Sequence, residues 1–237
     1  MNDNSLALMN WSGGKDSALA LYRVLQEAHF QIHSLLTTVN EAFGRVSMHG
    51  VRRELVRAQA DRLALPLIEL NLPEEISMPD YERRLSEALA PLAEAGVTHS
   101  IFGDIFLEDL RQWREDKLAP VGLTGVFPLW KQSSSELLDE FWEAGFQTVV
   151  VAVDGRKLDR SFCGRLLDRR FVADLPPGVD PCGENGEFHT FVFDAPYFSS
   201  PIAFRRGETV ERTYSFTDAG GREQSNAYYF TDIWLAE

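Results

Sequence analysis

The sequence predicts an α/β protein, a doubly wound parallel sheet followed by a smaller α+β unit. Three observations carry this. Short apolar runs alternate with segments of helical periodicity through the first half. A glycine loop, Ser12-Gly13-Gly14-Lys15-Asp16-Ser17, stands where the first run gives way to the first helix. Near residue 131 the alternation stops, and strand, loop and hairpin signals follow. Strand–helix alternation is the signature of parallel strands joined by crossover helices.

Leu6 to Trp11 reads as the first strand. Ala18, Leu21, Tyr22, Leu25 and Ala28 then fall on one helical stripe. Gln31 to Val39 is the second strand. Val51, Leu55, Gln59 and Leu63 mark a helix with Leu55 and Leu63 as apolar anchors, and Pro66 to Leu70 a third strand. Tyr81, Leu85, Ala88, Leu89 and Leu92 form another helical stripe that ends near Gly96. Pro91 inside it predicts a kink or two shorter helices, because proline removes a backbone donor. Thr98 to Phe102 and Gly125 to Leu129 complete the sheet. Ser133 to Trp142 is helical, with Gly145 as its stop. Thr148 to Val153 is a buried strand, Pro176 to Gly183 a loop-rich stretch. Alternating segments around Asp218-Ala219-Gly220-Gly221 predict a hairpin. The expected division is residues 1–131 and residues 132–237.

The 237 residues are 44% hydrophobic, enough for a full core. No apolar run has membrane-spanning length, and the polar start lacks the basic flank of a secretory signal, so a cytoplasmic protein is expected. The net charge of −13 argues against a nucleic-acid partner, although a local basic patch survives on many acidic proteins. Cys163 and Cys182 form no C-x-x-C and read as free thiols of a reducing compartment. Oligomeric state is left open, a homodimer included.

Ligands of a Rossmann-like sheet bind beyond the carboxyl ends of its strands. Ser12 to Ser17 lies there. Its glycines let backbone N–H groups approach phosphate, the helix start adds positive partial charge, and Lys15 adds a full one. Ser12 and Ser17 carry hydroxyl donors, and Asp16 orients the loop or reaches a magnesium ion. The plain alternative is a glycine turn capped by Ser12. The spacing is too short for the kinase-type G-x-x-x-x-G-K-[ST] loop. S-G-G-K-D-S resembles the pyrophosphate loop of the adenine nucleotide alpha-hydrolase superfamily. That resemblance implies bound ATP, an adenylated substrate and released pyrophosphate.

Further segments narrow the likeness. They are Phe102-Gly103-Asp104-Ile105, then Arg111, Arg114 and Glu115, then Pro128-Leu129-Trp130, Gly164-Arg165 with Asp168, and Gly183-Glu184-Asn185-Gly186-Glu187-Phe188-His189-Thr190. Their order resembles the diphthine–ammonia ligase family, over about Leu6 to Pro196. Asn185 and His189 depart from that family, which has glycine and glutamate there. The resemblance implies an AMP-forming ligase that joins ammonia or an amine to a carboxylate, with ATP and magnesium. Lys15, Asp104, Glu184 and Glu187 are its catalytic candidates, the two glutamates as bases. The loop with His49 and Gly103 would hold ATP, Asp16 a metal, and Arg111, Arg114, Arg165 and His189 the substrate.

Each residue has a plainer reading. His49 can be a loop histidine and Asp104 a helix cap. Arg111 and Arg114 can pair with Glu108 and Glu115, and Arg165 with Asp168. Glu184 and Glu187 can lie in a solvated loop. Trp130 is a ligand platform or core, and His29, His33 and His99 read as structural. Two other functions compete. One is tRNA sulfur transfer with Cys163 and Cys182 as its redox pair. The other is a nucleotide-binding module without catalysis.

Overall fold

The computed structural model describes residues 5–47, 49–217 and 223–236. The first half runs β1 (Ser5–Asn10), α1 (Lys15–Glu27), β2 (Phe30–Asn40), β3 (Arg45–Val46), α2 (Arg53–Leu63), β4 (Leu67–Leu72), α3 (Met78–Glu94), β5 (Val97–Ile101), α4 (Glu108–Leu118) and β6 (Thr124–Val126). Its parallel strands lie in the order β4-β2-β1-β5-β6. The short β3 runs antiparallel to the last residues of β2, past the point where β1 has ended. The chain leaves β1 for β2 on one side and returns to β5 on the other. The end of β1 is therefore the switch point of the sheet.

Alternation along the strands separates two layers. Ala7 and Met9 of β1 face a core shared with Ala18 and Leu21 of α1 and with Leu55 and Val56 of α2. Leu8, between them, faces a second core with Leu89 and Leu92 of α3 and Leu118 of α4. In α1 the expected stripe shifts at its end: Val24 is buried and Leu25 is 43% exposed. The predicted break at Pro91 does not occur. Helix α3 continues to Glu94 with Pro91 inside it, so the proline gives up one backbone hydrogen bond near the end of the helix without dividing it. Ser77 caps its other end by accepting from the Asp80 N–H at 3.2 Å.

The second half holds α5 (Ser134–Glu143), β7 (Gln147–Asp154), α6 (Arg169–Ala173), β8 (Phe188–Asp194), β9 (Phe204–Thr217) and β10 (Glu223–Leu235). Its antiparallel sheet has the order β8-β7-β10-β9. β9 and β10 form the expected hairpin arms, while the turn expected at Asp218-Ala219-Gly220-Gly221 lies outside the described residues. Val149, Val151, Phe188 and Phe191 of this sheet join the same core as α1 and α2. The two halves thus share one apolar interior.

Candidate active site at the sheet switch point

The glycine loop leaves β1 at the switch point and opens α1. Gly13 has φ +79°, and a Cβ there would lie 2.6 Å from Gln59 Oε1. A Cβ on Gly14 would lie 2.8 Å from His49 Cε1. Glycine is required at both, once for backbone conformation and once for space. Ser12 Oγ accepts from the Gly14 N–H at 3.3 Å and meets Ser17 Oγ at 3.2 Å, while the Ser17 hydroxyl donates to Gly14 O at 3.0 Å.

Two partners outside the loop fix it. The Val192 N–H donates to Gly13 O at 2.9 Å, and the Lys15 N–H to Thr190 Oγ1 at 3.0 Å, so β8 is sutured to the loop. Gln59, fully buried in α2, completes the suture. Its Nε2 donates to Gly13 O at 3.0 Å and Val192 O at 2.7 Å, and its Oε1 accepts from Trp11 Nε1 at 2.8 Å. Sequence reasoning placed Gln59 on an apolar stripe and gave it no role. An amide at an apolar position was the available signal.

A cleft of about 750 Å³ opens in front of the loop. The ends of β2 and β5 flank it, with Thr37, Thr38, Gly103 and Asp104. Leu85, Leu89, Phe102 and Leu118 give it an apolar wall, with Tyr81 and Trp113 stacked at 6.0 Å nearer α3 and α4. Asn10 also lines it, donating to Ser100 Oγ at 2.8 Å and Ile101 O at 2.9 Å. None of these except Phe102, Gly103 and Asp104 was tied to the site from sequence, since only the strand order brings them together.

Lys15 is 4% exposed, and its Nζ lies 2.8 and 2.7 Å from the two Asp16 oxygens. Burial alone would lower its pKa. Asp16, joined by Cys182 and Glu184, offsets burial and carries the ammonium above its ordinary value. Burial, with Asp180 and Asp104 nearby, lifts Asp16 above the usual carboxylate range despite Lys15. Glu184 accepts from the Ile105 N–H at 2.7 Å. Burial and the Asp16 charge push it up to about 7. His49 Nδ1 faces Thr190 O at 3.2 Å, and its ring stands 4.6 Å from that of His189. Burial depresses His49 to about 4 and His189 well below the usual value, so both are neutral imidazoles.

The remaining candidates divide. Asp104, 8% exposed, pairs with Arg114 at 2.7 Å, and that guanidinium lies 4.4 Å over Phe102 at the cleft. Gly103 packs on α1, where a Cβ would come 2.6 Å from the Asp16 carbonyl carbon. Arg111 does not line the cleft. It pairs with Glu115 at 2.8 Å and stacks on Phe127 and Trp130. Arg165 lies elsewhere, paired with Asp174 at 2.6 Å, and Asp168 instead caps α6 through the Phe171 N–H at 2.8 Å. Glu187 is 2% exposed and does not line the cleft. It accepts from the N–H groups of Asp180 and Asn185 at 3.3 and 2.9 Å and braces the loop that presents Glu184. A carboxylate occupied in this way holds the loop in place.

Cys163 and Cys182 are both buried, and burial raises both thiols, Cys182 to about 12. Neither has the thiolate character of a redox cysteine. Among the described residues no group of three His, Cys, Asp or Glu side chains is placed to hold a metal, and no helix is long and apolar enough to cross a membrane.

Known proteins similar to this chain share both halves. The diphthamide synthase N-terminal domain matches residues 5–124, and the diphthamide synthase C-terminal domain matches residues 133–220. A bovine protein named diphthine–ammonia ligase is 26% identical over 221 residues, 84% of this chain and 82% of its own length. The human protein of that name is 25% identical with the same coverage. A fission yeast protein of that name is 24% identical over 226 residues. The match covers 85% of this chain and 36% of the yeast protein, so the chain spans little more than a third of that relative's length.

Proposed function

The chain belongs to the diphthamide synthase family, and on that premise we propose that it is an ATP-dependent ligase joining ammonia or an amine to a carboxylate through an acyl-adenylate. The observation that carries this is Lys15, buried at the start of α1 and open to the cleft at the switch point. The adenine lies against the apolar wall of Leu85, Leu89 and Phe102. The phosphates lie on the first N–H groups of α1 and on Lys15. The division after residue 131 gives an ATP-binding part, residues 1–131, and a part that presents substrate-facing groups, residues 132–237.

A carboxylate oxygen attacks the α-phosphorus. A new P–O bond forms, the α–β bridging bond breaks, and pyrophosphate leaves. Lys15 and the α1 amides stabilise the charge that grows on the phosphoryl oxygens. Ammonia then adds to the acyl carbon, a proton passes to Glu184, and AMP departs as the amide forms. A carboxylate near 7 suits that transfer, because it is basic enough to accept and is about half ionised at neutral pH. His189, at the cleft beside His49, contacts the substrate as a neutral group. Arg114 holds Asp104 in place. Asp16 is the residue that would hold magnesium together with phosphate oxygens. Its single carboxylate suits a metal that keeps several waters, and the metal would supply charge neutralisation on the phosphates.

Diphthine, the acid in the relatives' name, is the first substrate to test, in a cytoplasmic setting with no nucleic acid. ATP labelled at the α-phosphate is incubated with ammonium and candidate acids, and AMP is resolved from ADP. Acid-dependent AMP that Lys15→Ala abolishes is the expected result. ADP as the product would sink the proposal. The redox sulfur-transfer reading has no support in the two raised thiols.

A further inference from the structure

The Gly164-Arg165 segment has no part in this reaction, yet it shapes a second hollow of about 430 Å³ that shares no lining residue with the cleft. We propose that this hollow is a binding site for a small organic anion, a carboxylate or phosphate carried on an apolar body. Arg165, Arg170 and Arg206 line it, and Val149, Leu166 and Phe204 give it an apolar surface. Its volume lies in the range of small-ligand sites.

Two of the arginines are set in place. The Arg165 guanidinium lies 5.2 Å from the Phe162 ring and 5.4 Å from the Phe171 ring, with Asp174 at 2.6 Å. Arg206 donates to Gly164 O at 2.7 Å. Gly164 has φ +87°, and a Cβ on it would stand 3.2 Å from Arg206 Cδ, so the glycine lets the arginine cross closely. Asp168, the carboxylate in the lining, has one oxygen occupied by the Phe171 N–H. Arg206 spends one of its five N–H groups on Gly164 and keeps the rest for a ligand.

Two features set the hollow apart from ordinary surface. The whole chain carries a charge of −13, yet the lining of the hollow holds Arg165, Arg170 and Arg206 against a single carboxylate, Asp168. Leu166, beside these charges, is 52% exposed. An apolar side chain held open beside guanidinium groups matches a ligand with one anionic end and one apolar part. Neither feature depends on ATP chemistry.

The test titrates the full chain with phenyl phosphate, benzoate and inorganic phosphate. It reads heat and the methyl resonances of Val149 and Leu166. Arg170→Gln/Arg206→Gln changes two exposed side chains, and its fold is checked by circular dichroism. Saturable binding of phenyl phosphate or benzoate that shifts both methyls, and that this variant weakens by about tenfold or more, is expected. Whichever of the two binds tighter names the anionic group. Absence of saturable binding, or unchanged affinity in the variant, overturns the proposal. Inorganic phosphate binding as tightly as phenyl phosphate does so too, since it would mark an adventitious ion only. Lys15→Ala separates the sites: it removes AMP formation and leaves this binding intact, and a loss of both would place the anion in the ATP cleft.

Discussion

Glu184 carries the clearest pH signature. Its value in the folded chain, about 7, stands above the ordinary 4.5, so the folded protein keeps a proton that the unfolded chain releases. That stabilisation is complete below about pH 4.5 and is lost as pH rises through about 7. Glu184→Gln is neutral throughout, so its stability in urea titrations should gain on the parent between pH 5 and 8, by on the order of 1–2 kcal/mol after solvent screening. Its amide formation should fall by about a hundredfold and lose its rise near neutrality, as pH–rate profiles would show. His49 stays neutral until about 4, so its ring resonances should hold still above pH 5 in NMR titrations. The loop lysine and Glu184 were legible from residue type and order. The difference between Glu184 and Glu187 was not, because a glycine-rich string does not say which way its backbone N–H groups point. Gln59 was hidden for a similar reason: its three bonds go to residues far off in sequence. Gln59→Leu should lower stability by about 2–4 kcal/mol in urea titrations and weaken ATP binding, since it strands buried polar partners.

Most strands and helices were readable from periodicity, with ends displaced by one to three residues, while β3, α6 and β8 were not read. Pro91 shows where a local rule fails: α3 runs through it to Glu94 although the proline gives up a backbone hydrogen bond. Strand order was beyond the pattern, and with it the neighbourhood of Asn10, Thr37 and Trp113. Gly103, just past the end of β5, packs closely on the start of α1. A Cβ on Gly103 would meet the Asp16 carbonyl carbon at 2.6 Å and the Ser17 nitrogen at 2.8 Å, both backbone atoms that cannot turn aside. Gly103→Ala should therefore push α1 from β5, cost about 1–3 kcal/mol in thermal unfolding, and reduce ATP affinity in calorimetry.

The change of pattern near residue 131 predicted two unlike halves, and the protein has one mainly parallel sheet and one antiparallel sheet. The shared interior was not legible, because residues of α1, α2 and the second sheet meet only after both halves fold. Urea unfolding should accordingly give one transition, with tryptophan fluorescence from Trp11 and circular dichroism coinciding. Residues 1–131 made alone should expose the faces of α1 and α2 and aggregate, which size-exclusion chromatography would reveal. β8 has one further consequence. It is laced to β7 along its length and to the glycine loop through Thr190 and Val192. The loop and the second sheet must travel together as a fixed jaw, and any breathing of the cleft belongs to the opposite jaw, where Tyr81 and Trp113 stand at its lip.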